Sequence, residues 1–187
     1  MRSLISKFRL ERLRAAFAGS PAERQVKTGK TTTAECQEAV AVVEAMICDA
    51  ITYSSSRSHP VSGNGRSDLS AVNVLGKQVL DIDTNSISGA VAAAAAVSLS
   101  GLRSAVFLSG DHLSEAHSQL HSIGNRHTPL ILHPTFREGS SLGSSHSAYH
   151  QVSDAGLFQI LPHSTQQAVD FVLLARWLAE RALVPGL

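Results

Sequence analysis

Residues 77–108, KQVLDIDTNSISGAVAAAAAVSLSGLRSAVFL, predict a strand, a helix and a second strand in succession. Lys77–Ile82 is typical of a strand, and Ser86–Ser100 is a run of small residues long enough to form a helix. Arg103–Leu108 follows as the second strand. Strands that alternate with helices favour parallel pairing, with helices packed on both faces of the sheet.

The same alternation continues along the chain in both directions. Apolar residues at helical spacing predict helices over Ala34–Ile47 and Thr165–Leu183. The segments Val106–Phe107 and Leu130–Leu132 are apolar throughout, as in strands that are covered on both faces. The remaining predicted elements are strands at Asp49–Tyr53, Pro129–His133 and Leu157–Leu161 and helices at Asp111–Ile123 and His146–Ala155. The predicted fold class is therefore α/β, a parallel sheet with helices on both faces.

A basic segment precedes the predicted domain. Residues 1–20 interleave arginine and lysine with leucine, isoleucine and phenylalanine, which predicts a basic amphipathic helix. Residues 21–33 are polar and predict a linker, so that residues 34–187 form the domain. The basic helix fits either an organelle transit peptide or a surface helix that contacts a partner. The expected location is accordingly the mitochondrial matrix or the cytoplasm.

The bulk composition excludes several classes of protein. A net charge of +1 and 5% aromatic residues give neither the basic field nor the stacking surfaces that nucleic-acid binding needs. The apolar runs are too short to cross a membrane, so no transmembrane segment is predicted. The two cysteines, Cys36 and Cys48, form no CxxC pair and are expected to be reduced thiols.

Two pairs of histidines have a spacing that is compatible with metal binding. His117 and His121 are four residues apart in a predicted helix, and so are His146 and His150. Neither pair carries the glutamate of HExxH, and the sequence shows no third ligand. The better interpretation is a set of exposed or partner-facing histidines, and no metal site is predicted.

In a parallel α/β sheet, the loops that follow the carboxyl ends of the strands form the ligand crevice. On the predicted elements, these loops are Ser54–Ser58, Asp83–Ser88, Ser109–His112, Thr135–Ser145 and Pro162–Ser164.

Several segments occur in an order and at a spacing that carry a family resemblance. They are Glu38–Ala41 with Ala50–Tyr53, the turn Ser54–Pro60, Gly101–Phe107, Pro129–His133 with Arg137, Ser144–His146 with Gly156, and the closing helix from Ser164 to Pro185. Over residues 34–187 the chain resembles the N-terminal, thiamine-diphosphate pyrimidine-binding domain of pyruvate:ferredoxin (flavodoxin) oxidoreductases. Similar domains occur in sulfite reductase chains.

The resemblance implies a catalytic glutamate at one particular position. In thiamine-diphosphate enzymes this carboxylate hydrogen-bonds the aminopyrimidine ring and promotes formation of the ylid. The family places it two residues before the glycine that opens the small-residue helix, and counting back from Gly89 gives Ile87. Isoleucine neither donates nor accepts a proton, so no catalytic residue is predicted. Asp83 would replace the glutamate only through a local insertion that the sequence does not show.

At two positions where the family binds its substrate, the resemblance implies side chains that are still able to bind one. Ser56 retains a hydroxyl where the family has threonine, and Arg137 would hold a 2-oxoacid carboxylate through a bidentate pair. The alternative for Arg137 is a solvated loop residue or an ordinary ion pair.

The resemblance predicts a non-catalytic domain that serves as a structural or interaction subunit of a larger oxidoreductase-type assembly. Its expected partners are other protein subunits or further copies of itself. Alone, the chain is not expected to be an enzyme or to bind a cofactor, and thiamine diphosphate would bind only with a partner chain. The alternative is a half-site subunit of a split thiamine-diphosphate-dependent 2-oxoacid oxidoreductase or sulfite reductase, completed by partner chains.

Overall fold

Four parallel strands form the central sheet. The computed structural model describes residues 36–54, 72–135 and 149–187. The strands are β1 (Ala50–Tyr53), β2 (Leu80–Asp83), β3 (Ser104–Ser109) and β4 (Ile131–Thr135). Their spatial order is β2-β1-β3-β4, and each neighbouring pair is parallel. The predicted α/β fold with a parallel sheet is confirmed.

Helices cover both faces of this sheet. They are α1 (Cys36–Ile47), α2 (Ile87–Leu99), a 3-10 helix (Gly110–Ala116), α3 (His117–Asn125) and α4 (Thr165–Ala182). One apolar cluster joins Val106 and Leu108 of β3 to α2 and α3, and a second joins Ala105 and Phe107 to α1 and α4. Successive side chains of β3 therefore enter opposite cores, as expected for a strand that is covered on both faces.

Helix α2 packs closely on the sheet through its small residues. Ala90 and Ala94 are fully buried, and the carbonyl of each accepts a hydrogen bond from a strand side chain. Thr52 Oγ1 donates to Ala90 O at 3.0 Å, and Ser104 Oγ donates to Ala94 O at 2.9 Å. Bulkier residues at these two positions would separate the helix from the strands, so Ala90 and Ala94 serve packing on the sheet.

The last three residues of the chain extend the sheet beyond β4. Gly186 N donates to Leu130 O, and Leu132 N donates to Gly186 O, both at 2.9 Å. On the other side, Phe158 N donates to Pro185 O at 3.1 Å. The strand predicted at residues 157–161 is therefore only a set of bridges, because its partner segment is short and Pro185 has no N–H to donate.

Two predicted helices differ from the observed structure. The helix expected over residues 111–123 begins as the 3-10 turn and becomes α-helical only at His117. Within the described part of the helix expected over residues 146–155, only residues 149 and 150 are helical, and turns follow. Gly156 then adopts a positive φ of 76°, a conformation that ends the segment and favours glycine.

Some predictions fall outside the described residues. These are the basic helix at 1–20, the linker at 21–33, and the substrate-side candidates Ser56 and Arg137. Among the helices that are described, none combines the length and the apolar character needed to cross a membrane.

Candidate functional site

The carboxyl ends of the four strands meet along one edge of the sheet. In the observed register, Tyr53 of β1 lies beside Asp83 of β2 and Phe107 of β3, while Ser109 of β3 lies beside Thr135 of β4. The strand that follows β1 in the chain, β2, lies on one side of β1, and the next strand, β3, lies on its other side. The direction in which strands are added to the sheet therefore reverses at β1. In open α/β sheets, ligands bind beyond the carboxyl ends at such a reversal.

Hydrogen bonds attach the turn between β2 and α2 to this edge of the sheet. Thr84 donates to Tyr53 O through its backbone N at 3.0 Å and through Oγ1 at 3.1 Å. Ser86 caps α2, because its Oγ accepts a hydrogen bond from Gly89 N at 3.1 Å. These bonds fix where the helix begins and direct its first residue, Ile87, into the protein.

Ile87 is fully buried at the start of α2. Its side chain is 0% exposed and belongs to the apolar cluster that includes Leu108, Leu113 and Leu120. Asp83 lies on the far side of the turn, as the exposed last residue of β2. Ile87 is buried whereas Asp83 is exposed, so the two side chains occupy different environments.

A buried ionic network lies on the other face of the sheet, and no part of it was predicted. Glu44 of α1 is 0% exposed, and its Oε2 lies 2.9 Å from Nη2 of Arg176 in α4. Arg176 is also buried and donates through Nη1 to Ser104 O at 3.0 Å. The pair joins the two helices above the sheet.

Two further side chains contact the Glu44 carboxylate. His133 Nε2 lies 2.7 Å from Oε1, and the Cys48 thiol donates to Oε2 at 2.8 Å. Burial opposes ionisation of Glu44, but Arg176 and then His133 and Cys48 outweigh it and lower the pKa to about 2. Because the carboxylate carries no proton at neutral pH, the hydrogen bond to His133 requires the proton on Nε2.

The other two members of the network titrate outside the neutral range. Burial, followed by the adjacent Glu44 charge, raises the pKa of the Cys48 thiol. Burial acts to lower the pKa of Arg176, but the acidic groups around it, Glu44 first among them, together outweigh burial and the pKa rises. At neutral pH the network therefore consists of a carboxylate, a guanidinium, an uncharged thiol and the His133 ring with a proton on Nε2.

A cavity of about 400 Å³ adjoins this network between β4, α1 and α4. Its walls are mainly apolar, and His133 lies in the wall with its ring stacked on Phe107 at a centroid distance of 5.0 Å. Phe107 belongs to the α1 and α4 core, whereas Ile87 belongs to the α2 and α3 core. Ile87 is not among the residues that line the cavity.

The sequence does contain a signal for the network. The inward positions of α1 are Val40, Ala41, Glu44 and Ala45, so a carboxylate interrupts an apolar stripe. Arg176 likewise interrupts the apolar stripe of α4. Opposite charges on the buried stripes of two helices predict a buried pair once the helices are known to be adjacent.

The family model described as "Pyruvate flavodoxin/ferredoxin oxidoreductase, thiamine diP-bdg" matches residues 69–187, more than half of the chain. The chain belongs to this family. The family resemblance of the sequence is thus confirmed.

A solved structure with a similar fold is "2-oxoglutarate:ferredoxin oxidoreductase from Magnetococcus marinus with 2-oxoglutarate, coenzyme A and succinyl-CoA bound". The TM-score is 0.58 at 14% sequence identity, a likeness that concerns the fold alone. The match covers 96% of the present chain and 34% of that chain, so the oxidoreductase-like chain spans about a third of its neighbour's length. No curated protein matches the sequence.

The residue at position 87 does not fit the need of thiamine diphosphate for a carboxylate beside its pyrimidine ring. The family resemblance places that group at Ile87, whose side chain is apolar and enclosed by other apolar side chains. A carboxylate placed there would lose its hydration without a partner in the surrounding cluster. No proton-transfer step of the cofactor can be assigned to Ile87.

Proposed function

We propose that this chain is a non-catalytic member of the oxidoreductase family that acts as a structural or interaction subunit of a larger oxidoreductase-type assembly. The observation that carries the proposal is Ile87, a fully buried isoleucine at the position where the resemblance places the glutamate. The side chain is part of the core, so the position now contributes to folding stability.

The interaction role rests on the family, because the resemblance implies that thiamine diphosphate needs a second component beside this domain. In the 2-oxoglutarate:ferredoxin oxidoreductase with the similar fold, the matching region makes up 34% of the chain, so there the fold works beside further parts. Other protein subunits, or further copies of this chain, would supply whatever such an assembly needs in addition. On this proposal the chain alone binds no cofactor, and thiamine diphosphate would bind only where a partner chain completes a site.

Cofactor content of the native complex tests the proposal. The chain is purified together with its partners, thiamine diphosphate is quantified by mass spectrometry, and pyruvate-dependent electron transfer is measured. We expect no stoichiometric thiamine diphosphate and no such transfer. Stoichiometric cofactor together with transfer would contradict the proposal and support the alternative, a half-site subunit of a split 2-oxoacid oxidoreductase or sulfite reductase.

Substitutions at position 87 test separately whether a carboxylate restores cofactor-dependent activity and whether the fold tolerates a polar side chain. Ile87→Glu supplies a carboxylate, whereas Ile87→Gln has a similar size and polarity without a titratable proton. If cofactor-dependent activity appears with glutamate and not with glutamine, loss of this one carboxylate accounts for the inactivity. Circular dichroism of both variants, compared with Ile87→Val, shows whether the fold tolerates a polar group there, and we expect the valine variant to lose only about 0.5–1.5 kcal/mol of stability.

A further inference from the structure

Three side chains outside the sites described so far meet on the surface of the α2 and α3 side. His117 and His121 are one turn apart on α3, and their rings are 4.6 Å apart between centroids at an angle of 70°. Asp154, from the turn that follows residues 149–150, reaches both rings. The sequence alone does not predict this contact, because Asp154 lies 33 positions after His121.

The separations of the ligand atoms are compatible with one metal ion between the three side chains. His117 Nε2 lies 3.5 Å from Asp154 Oδ1, and His121 Nε2 lies 3.7 Å from Oδ2. Both distances exceed the usual N–H···O range of about 2.7–3.2 Å. Two ligands of a tetrahedral zinc ion, each about 2.0–2.1 Å from the metal, lie about 3.4 Å apart. One atom from each of the three side chains falls within 4.8 Å of the others.

The ligand types narrow the class of ion. Imidazole nitrogen favours zinc, copper, nickel and iron over magnesium and calcium, which prefer oxygen ligands. The three side chains are 42%, 38% and 68% exposed, so an ion can enter from solvent and retain water at a remaining position. The carboxylate supplies one negative charge to offset the charge of the ion.

We propose that His117, His121 and Asp154 bind one divalent first-row transition-metal ion, with zinc as the representative ion. The ion joins α3 to the turn around Asp154, two segments that also touch where Gly124 meets Gly156. It therefore acts as a cross-link that stabilises the folded chain. None of the three residues takes part in the proposed function, so the two proposals succeed or fail independently.

Zinc titration of the full chain tests the site. After treatment with a chelator, the protein is titrated with ZnCl₂ by isothermal calorimetry, and Co²⁺ binding is followed by visible absorption. We expect one high-affinity zinc ion per chain and a rise in melting temperature on binding. His121→Ala and Asp154→Asn are each expected to weaken binding by at least about tenfold and to abolish the rise in melting temperature.

Two exposed histidines outside the cluster provide matched controls. His163→Ala and His150→Ala are expected to bind zinc as the unchanged protein does, although His150 belongs to the other histidine pair of the sequence. Because Asp154 is the most exposed ligand, Asp154→Asn keeps the fold intact and isolates the loss of a ligand. The proposal is overturned if the unchanged chain binds no zinc, if Asp154→Asn binds it equally well, or if a control variant loses it.

Discussion

The guanidinium of Arg176 in α4 reaches across the α1–α4 interface to the carboxylate of Glu44, with 2.9 Å between Nη2 and Oε2 and both side chains buried. The chain also has an exposed pair of the same chemistry, in which Arg103 Nε lies 2.6 Å from Glu180 Oε1. The two pairs differ in burial and in their neighbours, because Glu44 also contacts His133 and Cys48. They therefore allow a buried ionic network to be compared with an exposed ion pair within one protein.

Removing Arg176 is expected to destabilise the fold strongly. Arg176→Met leaves the Glu44 charge buried without its cation, and the expected loss of unfolding free energy is about 3–5 kcal/mol. Adding Glu44→Met should recover part of that loss, because no uncompensated charge is then buried. Urea denaturation of the single and double variants gives the coupling energy. The same cycle on Arg103 and Glu180 should yield about 0.2–1 kcal/mol, and equal coupling in both cycles would argue against a role for burial.

Glu44 is expected to make stability fall in acid. Its pKa is lowered in the folded protein from an ordinary value of 4.5 to about 2. A lowered pKa means that the ionised carboxylate favours the folded state, so its contribution is complete above pH 4.5 and is lost as the pH falls toward 2. The contribution at neutral pH is about 3 kcal/mol.

The acid dependence can be assigned to Glu44 by comparing two glutamine variants. Unfolding free energies between pH 7 and pH 2 should fall less steeply in Glu44→Gln than in the unchanged protein. Glu180→Gln, in the exposed pair, is the matched control for the loss of a glutamate in an ion pair. Identical slopes in Glu44→Gln and the unchanged protein would show that the acid sensitivity arises elsewhere.

Gly124→Ala tests a close backbone approach. In an ordinary helix position this change is stabilising by about 1 kcal/mol. Here the new Cβ would overlap the carbonyl oxygen of Ala155 and lie 3.4 Å from Gly156 Cα. Backbone atoms cannot rotate away as a side chain can, so we expect a loss of about 1–3 kcal/mol in thermal or urea unfolding. Ser118→Ala, on the exposed part of the same helix, should change stability little, and a stabilising Gly124→Ala would disprove the contact.

The two thiols are expected to differ sharply in reactivity. Cys36 is exposed, whereas Cys48 is fully buried and its pKa is raised by burial and by Glu44. Because the thiolate is the reactive form, a disulfide reagent such as dithiobis-nitrobenzoate should label one thiol in the native protein and two after denaturation. Cys36→Ser should remove the native signal. Rapid labelling of that variant under native conditions would contradict the burial of Cys48.

Local patterns predicted β3 and the start of β4 well because these segments are covered on both faces, whereas β2 is largely exposed at the edge of the sheet. The apolar runs at Val106–Phe107 and Leu130–Leu132 are long enough to be recognised without knowledge of their neighbours, and Ser86 and Ser100 correctly marked the limits of α2. Pairing between segments that are apart in the sequence set the limits of the other strands. Lys77–Ile82 was predicted as one strand, but Gln78 pairs back on Val72 in an antiparallel bridge, and β2 begins only at Leu80.

Contacts between side chains that are far apart in the sequence could not be predicted from the sequence alone. Glu44 and Arg176 are 132 residues apart, and only the packing of α1 on α4 brings them together. The same holds for Asp154 beside His117 and His121. Position 87 could be singled out by counting from Gly89, whereas its complete burial became clear only from the packing of α2.

The extension of the sheet by Pro185–Leu187 has a consequence for folding during synthesis. Residues 158–160 hydrogen-bond to this terminal segment, which in turn pairs with β4, more than 50 residues earlier in the chain. The ribosome makes these residues after all four described strands of the sheet. The outer edge of β4 therefore stays open until translation has passed Leu187, and an unpaired edge in a nascent chain invites association with other chains.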